Sequence, residues 1–259
     1  MISRENNLSI FYRWVESALL AVAFLTRIPI RLSENNEKQK LADVMWAFPL
    51  VGVFVGGVAS FAMWIGYEIG LSPLVCGLIA VATQALITGA LHEDGLADVA
   101  DGFGGGHKIV DKLKIMRDSQ IGTYGVLALI FSITFRAGLI AGMTSQTIAV
   151  IALLSAGAVS RALIALAMNQ LELVRTDGLA SQAGQPTNES TLVTLALGGA
   201  IAFLLLGAAG WFVLAFAFGA TVLMGLYAKR QIGGQTGDVL GTVQQVTETA
   251  VLLGVILVM

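Results

Sequence analysis

Apolar stretches long enough to cross a lipid bilayer follow one another along this chain with only short gaps, and no other feature limits its fold so strongly. A hydrocarbon core of about 30 Å takes roughly 20 residues of α-helix, which satisfies its own backbone hydrogen bonds where no water can. Seven stretches meet that length approximately: residues 44–67, 73–91, 122–142, 147–168, 192–208, 211–228 and 239–259. An eighth, 14–30, is shorter and carries Glu16 and Arg27, so we read it as interfacial or re-entrant. Composition agrees. Of 259 residues 56% are hydrophobic and 12% charged, whereas soluble domains carry about 25% charged residues. The expected fold is an all-α integral membrane protein of about seven transmembrane helices plus an N-terminal interfacial or re-entrant helix, forming one polytopic domain over residues 1–259.

With those seven spans, the loops at 31–43, 92–121, 169–191 and 229–238 share one side of the membrane. They hold Arg31, Lys38, Lys40, Lys108, Lys112, Lys114, Arg117, Arg175, Lys229 and Arg230, while the connections on the other side hold no Lys or Arg. The positive-inside rule makes the long loops cytoplasmic. Arg4 and Arg13 then stay cytoplasmic only if the first apolar stretch does not cross. No small-residue cleavage pattern follows that stretch, so it is expected to be retained. A net charge of -2 without a basic stripe gives no reason to expect nucleic acid. Cys76 stands alone in an apolar run and reads as packing, with no disulfide or metal-thiolate role.

Charge is concentrated at 92–125. The sequence there reads H-E-D-G-L-A-D-V-A-D-G-F-G-G-G-H-K and, further on, K-I-M-R-D-S-Q-I-G-T-Y-G. Asp94, Asp98 and Asp101 stand at i, i+4 and i+7, which on a helix places three carboxylates within an arc of about 60°, with Glu93 on its flank. Like charges so placed repel, so a partner is expected. Hard oxygen ligands at a membrane surface suit Mg²⁺, which takes one or two carboxylates together with substrate phosphates. Gly102, Gly104, Gly105 and Gly106 would let backbone amides approach an anion, and Lys108, Lys112, Lys114 and Arg117 add positive charge. Together these are the parts of a phosphoryl-transfer site. Ser119 either caps the next span or touches substrate. His92 and His107 flank the cluster without a spaced partner, and we read them as hydrogen-bonding residues rather than ligands.

A second polar patch, G-G-Q-T-G-D-V-L-G-T-V-Q-Q-V-T-E-T-A, begins the last span. Asp238, Thr242 and Gln245 share a helical face, and Gln244 and Glu248 carry the polarity about two turns into the membrane. Intramembrane ionisable groups face a cavity or a partner. Asp238 would either cap the helix or serve the site. Glu248 would pair with Arg136 or Arg161, and Arg161 is also a candidate substrate contact. Residues 235–248, with Gln235, Gln245 and Glu248, are expected to form a second wall of the site.

These motifs, with F-L-T-R-I-P at 24–29, F-P-L-V-G at 48–52, S-R-A at 160–162 and G-G-Q-T-G-D-V-L-G at 233–241, resemble the cobalamin synthase (adenosylcobinamide-GDP ribazoletransferase) family over essentially the whole chain. The resemblance implies a Mg²⁺-dependent, multi-pass enzyme of the bacterial inner membrane with its active site facing the cytoplasm. It implies that adenosylcobinamide-GDP and α-ribazole, or its 5'-phosphate, react to give adenosylcobalamin, or its 5'-phosphate, and GMP. On that reading Asp94, Asp98 and Asp101, with Glu93 assisting, would hold Mg²⁺. Asp118 or Asp238 would take the hydroxyl proton, and Lys112, Lys114 and Arg117 would contact phosphate. Expected partners are the two substrates and the bilayer, with a homo-oligomer or other late cobalamin-pathway enzymes as further expectations. Two alternatives remain. A CDP-alcohol phosphotransferase would need a D-x2-D-G-x2-A-R lead that is absent here, and a secondary transporter would account for Arg136, Arg161 and Glu248 within spans.

Overall fold

In a computed structural model the described residues are 2–32, 39–175 and 177–259, with side chains described throughout these except at 2–11, 13, 179 and 180. Lys38 and the side chains of Arg4 and Arg13, counted above for orientation, lie outside the described residues. Helix α1 runs Ile2–Leu25, and a 3₁₀ turn at Leu41–Ala47 leads directly into α2, Phe48–Glu68. There follow α3 (Pro73–Thr88), α4 (Leu91–Gly105), α5 (Ile109–Ile115), α6 (Thr123–Ala141) and α7 (Gln146–Gln170). The rest is α8 (Leu179–Ala183), α9 (Asn188–Leu206), α10 (Ala209–Ile232) and α11 (Gly237–Val258). Local chemistry sets these boundaries. Pro stands in the first turn of α2 and α3, where its missing N–H costs nothing, and Ser145, Thr187 and Thr236 accept from the first free amides of α7, α9 and α11.

Among the described residues six helices are long and apolar enough to cross a membrane: Leu41–Glu68, Thr123–Ala141, Gln146–Gln170, Asn188–Leu206, Ala209–Ile232 and Gly237–Val258. The chain is a multi-pass, all-α membrane protein. Its centre is α7 and α11, 78% buried over their most apolar windows, whereas α6 and α9 are 28% buried and turn most of their surface outward. At the α2–α7 crossing Gly52 and Gly157 meet so closely that a Cβ on Gly52 would lie 2.0 Å from the Gly157 carbonyl oxygen. This is the close helix approach that small residues inside spans allow.

The seventh expected span, 73–91, takes a different form. α3 ends at Gly89, and α4 leaves at an angle of 95° after two consecutive left-handed residues, Gly89 (φ 65) and Ala90 (φ 56). Ala90 carries a Cβ in that region, which costs energy that surrounding packing must offset. The acidic stretch read as the start of a loop is therefore mostly a helix, lying outside the six spans. In α1 the apolar portion is Trp14–Leu25, shorter than a crossing requires. The chain leaves that helix at Thr26, and the Arg27 amide donates to the Ile87 carbonyl at the end of α3.

Candidate active site

Successive residues of a helix point about 100° apart, and α4 uses that angle to separate its charges. Glu93 turns into the protein, where it is 6% exposed. There Arg136 of α6 lies between two carboxylates, 3.4 Å from Glu93 and 3.1 Å from Glu248 of α11, and Arg161 of α7 stands 3.9 Å from Glu248. Gln245 donates to Glu93 at 3.0 Å, and Gln244 donates to Glu248 at 2.5 Å and to Ser160 at 3.1 Å. Two acids and two bases balance, so four helices are joined by a neutral ionic cluster in a region without water to solvate them. Within these four charged side chains, Glu93 Oε2 and Arg161 Nε are buried without a hydrogen-bond partner.

The next residue faces elsewhere. Asp94 is exposed and Asp98 half-buried. Asp238, in the first turn of α11, comes beside them because α4 and α11 pack together, with Thr242 donating to the Gly95 carbonyl at 3.1 Å. One cation faces this group: Arg175 places Nη1 3.4 Å from Asp238 and donates from Nη2 to the Leu113 carbonyl at 2.7 Å. Burial first, and then the charges of Asp94, Asp238 and Asp101, push the Asp98 carboxyl up to about 7, with Arg175 pulling the other way. The excess of negative charge opens onto a cavity of about 210 Å³ whose mouth includes Asp94, Arg175, Asp177 and Asp238 and whose floor is apolar. A second depression, lined by Thr26, Arg27, Thr88, Gly89 and Ala90, reaches Asp94 from the other side.

A model of the family described as cobalamin-5-phosphate synthase matches residues 17–256. The chain is 41% identical over 238 residues to an adenosylcobinamide-GDP ribazoletransferase of Bradyrhizobium diazoefficiens, covering 90% of each chain. It is 42% identical over 248 residues to one of Azorhizobium caulinodans, covering 92% of this chain and 94% of that one. With one of Mesorhizobium japonicum the identity is 39% over 246 residues, covering 92% of each. The chain belongs to the cobalamin-5-phosphate synthase family. No solved structure matches it.

In this member of the family the expected site residues fall into three groups. Asp94, Asp98 and Asp238 converge. Glu93, Arg161, Gln245 and Glu248 belong to the buried cluster, which pairs the intramembrane charges that had suggested a transporter. The third group frames the loop beyond α4. Asp101 is 9% exposed, and its two carboxylate oxygens accept from the Gly122 amide at 2.7 Å and the Gly125 amide at 2.9 Å, so it fastens the start of α6 to α4. A Cβ at Gly122 or Gly125 would come within 2.4 or 2.3 Å of that carboxylate, which is why the G-T-Y-G motif needs both glycines.

Glycines 102, 104 and 105 form the last turn of α4, and the Gly106 amide donates to the Gly102 carbonyl, so the run closes a helix end instead of offering free amides. Asp118 is exposed and accepts from the Gln120 amide at 3.0 Å. Ser119 is exposed and caps neither neighbour, since α6 begins after Gly122. Lys114 is exposed, Lys112 donates to the Gln231 side chain, and Arg117 pairs with Asp177 at 2.5 Å. Gln235 is buried, its amide donating to the Glu172 carbonyl at 2.8 Å. Among the described residues no three His, Cys, Asp or Glu form a metal nest. The donor set that does exist, Asp94 lining the cavity and half-buried Asp98 one turn along the same helix, suits a cation that completes its shell with water and phosphate. Arg27, Arg175 and Asp177 border the site without having been singled out in the sequence.

Proposed function

We propose that this chain joins adenosylcobinamide-GDP to α-ribazole, or its 5'-phosphate, releasing GMP, in the late assembly of cobalamin. The observation that carries the proposal is the meeting of Asp94, Asp238 and Arg175 at the cavity, with Asp98 one turn along α4 within reach of their charges, in a chain 39–42% identical to ribazoletransferases over nine-tenths of its length. The ribazole 3'-hydroxyl would attack the phosphorus on the aminopropanol arm. A P–O bond forms, the bond to GMP breaks, and the hydroxyl proton passes to a carboxylate. Asp238 suits that last role better than Asp118, because it faces the α4 acids across the cavity mouth while Asp118 stands on an exposed loop.

Asp94 and Asp98 would hold Mg²⁺, with Asp101 supporting from the next turn through its grip on α6. Bound there, Mg²⁺ would offset the charge of the pyrophosphate and of the departing GMP. Arg175 and the exposed Lys114 would take part of the phosphate charge, while Lys112 and Arg117 hold the α5 rim through Gln231 and Asp177. Ser119 would meet substrate at that rim. Glu93, Arg161, Gln245 and Glu248 would act by fixing α4 against α11. The loop cations support a cytoplasmic site in the bacterial inner membrane.

Reconstituted Asp94→Asn and Asp98→Asn enzymes are expected to lose about 10²-fold or more in kcat, the scale of removing one preorganised electrostatic contact. They should fold as well as the unaltered protein. Corrinoid product formed at near the unaltered rate by both variants across a Mg²⁺ titration would overturn the assignment.

A further inference from the structure

The carbon-lined cavity beside the acidic residues has no role in the chemistry described so far. Its deeper walls come from Phe24, Leu25, Met45, Phe48, Ile164 and Met168, contributed by α1, the 3₁₀ turn, α2 and α7. Its volume, about 210 Å³, is below the roughly 300–1,000 Å³ of sites that enclose a whole drug-sized ligand. It therefore takes a fragment, and a corrin ring does not fit. The polar side chains lining it away from the mouth are His92 and Thr236, and Thr236 is already engaged, donating to Asp238 and accepting from the Val239 amide.

We infer that this cavity is the binding site for the base of the acceptor nucleoside; the inference rests on the transferase reading above. Three bases are available among the substrates, the adenine and guanine of the donor and the base of ribazole, and their chemistry separates them. Guanine and adenine carry hydrogen-bond donors and acceptors around much of their edges, and burying such groups against carbon without partners is unfavourable. The ribazole base is a dimethylated benzimidazole. Once joined to ribose it keeps one ring nitrogen as an acceptor, and the rest of its edge is C–H and methyl. Carbon walls suit that edge, the sulfurs of Met45 and Met168 suit an aromatic face, and His92 is left for the single nitrogen. With the base inside, the ribose comes to the mouth, where Asp94 and Asp238 stand. The guanosine end of the donor is left to the more polar surroundings of Arg27 and the α5 rim.

The test separates the two substrates kinetically. In proteoliposomes, Met168→Gln nearly keeps the side-chain shape and Ile164→Thr trims one heavy atom, and each places a polar group in the wall. Each is expected to raise the KM for ribazole about tenfold, with the KM for adenosylcobinamide-GDP held within about twofold. Titration calorimetry with ribazole alone in detergent should show the same tenfold weakening without turnover. If Met168→Gln does not fold, Ile164→Thr carries both measurements. A rise in the donor KM instead, or no binding of ribazole to the unaltered protein, would overturn the cavity assignment. Unaltered protein that binds ribazole but releases no GMP from the donor would overturn the transferase reading and leave the cavity assignment standing.

Discussion

Two charged regions share the short helix α4, and they are built on opposite rules. On the inner face Glu93 joins Arg136, Glu248 and Arg161, two acids against two bases, nearly sealed from solvent. On the outer face Asp94 and Asp238 open to a cavity with Arg175 beside them, and half-buried Asp98 stands one turn behind Asp94. The inner set is balanced and holds helices in place. The outer set is unbalanced, and an unbalanced charge is what a site needs if a cation and a pyrophosphate are to complete it. A single residue step in sequence, Glu93 to Asp94, separates structure from chemistry.

The largest effect should come from unbalancing the inner set. Arg136→Ala leaves two buried glutamates with Arg161 as their one remaining base, and breaking such a pair costs about 3–5 kcal/mol. We expect a large loss of folded protein in detergent extracts and a sharply lowered Tm. Arg136→Met combined with Glu248→Met keeps one acid and one base, Glu93 and Arg161, so the double variant should recover much of that loss. If the double variant is as unstable as the single one, packing rather than charge balance holds α4, and the contrast between its two faces fails.

A smaller effect is expected where the two regions meet the loop. Asp101→Asn keeps the shape but replaces one of two acceptor oxygens with a donor, facing the amides of Gly122 and Gly125. Leaving a buried amide unsatisfied costs about 1–3 kcal/mol. The expected outcome is a moderate drop in Tm together with faster proteolysis at 117–122. If Asp101 instead contacts the cation directly, Asp101→Asn would show full stability and a shifted Mg²⁺ dependence, which would move it into the outer set.

Much of this architecture was legible because membrane spans announce themselves by length and apolarity. Six of the seven stretches became the expected crossings. The bend in the seventh was hidden, since 73–91 is a continuous apolar run and Gly89-Ala90 resembles any small pair within it. The acidic spacing correctly placed Asp94 and Asp98 on one face. It could not tell that Asp101, one turn on, meets amides of α6. The pairing of Glu248 with an intramembrane arginine was foreseen as an alternative, and both candidate arginines take part. Arg175 was invisible as a site residue because its partner Asp238 lies 63 residues away and no spacing rule joins a loop arginine to a distant helix. The same holds for Arg117 and Asp177, 60 residues apart.

The mildest test asks whether the outer acids truly strain one another. The Asp98 carboxyl rises from an ordinary value of 3.8 to about 7 in the folded protein. A raised carboxyl binds its proton more tightly when folded, so its contribution to stability is full below about pH 4 and is lost as the pH climbs through about 7. Asp98→Asn mimics the protonated form at every pH. In metal-free detergent the two proteins should therefore unfold at similar temperatures below about pH 4, and the variant should be the more stable by pH 8, with the gap opening between about pH 4 and 7. Comparing the two proteins at each pH cancels the titrating groups that do not interact with Asp98, so the gap reports Asp98 together with Asp94, Asp238 and Asp101. A divalent cation held by Asp94 and Asp98 would narrow the gap at pH 8 by stabilising the unaltered protein alone. If no gap opens with pH, water already screens the outer carboxylates, and charge imbalance would not be what distinguishes the open face of α4 from the buried one.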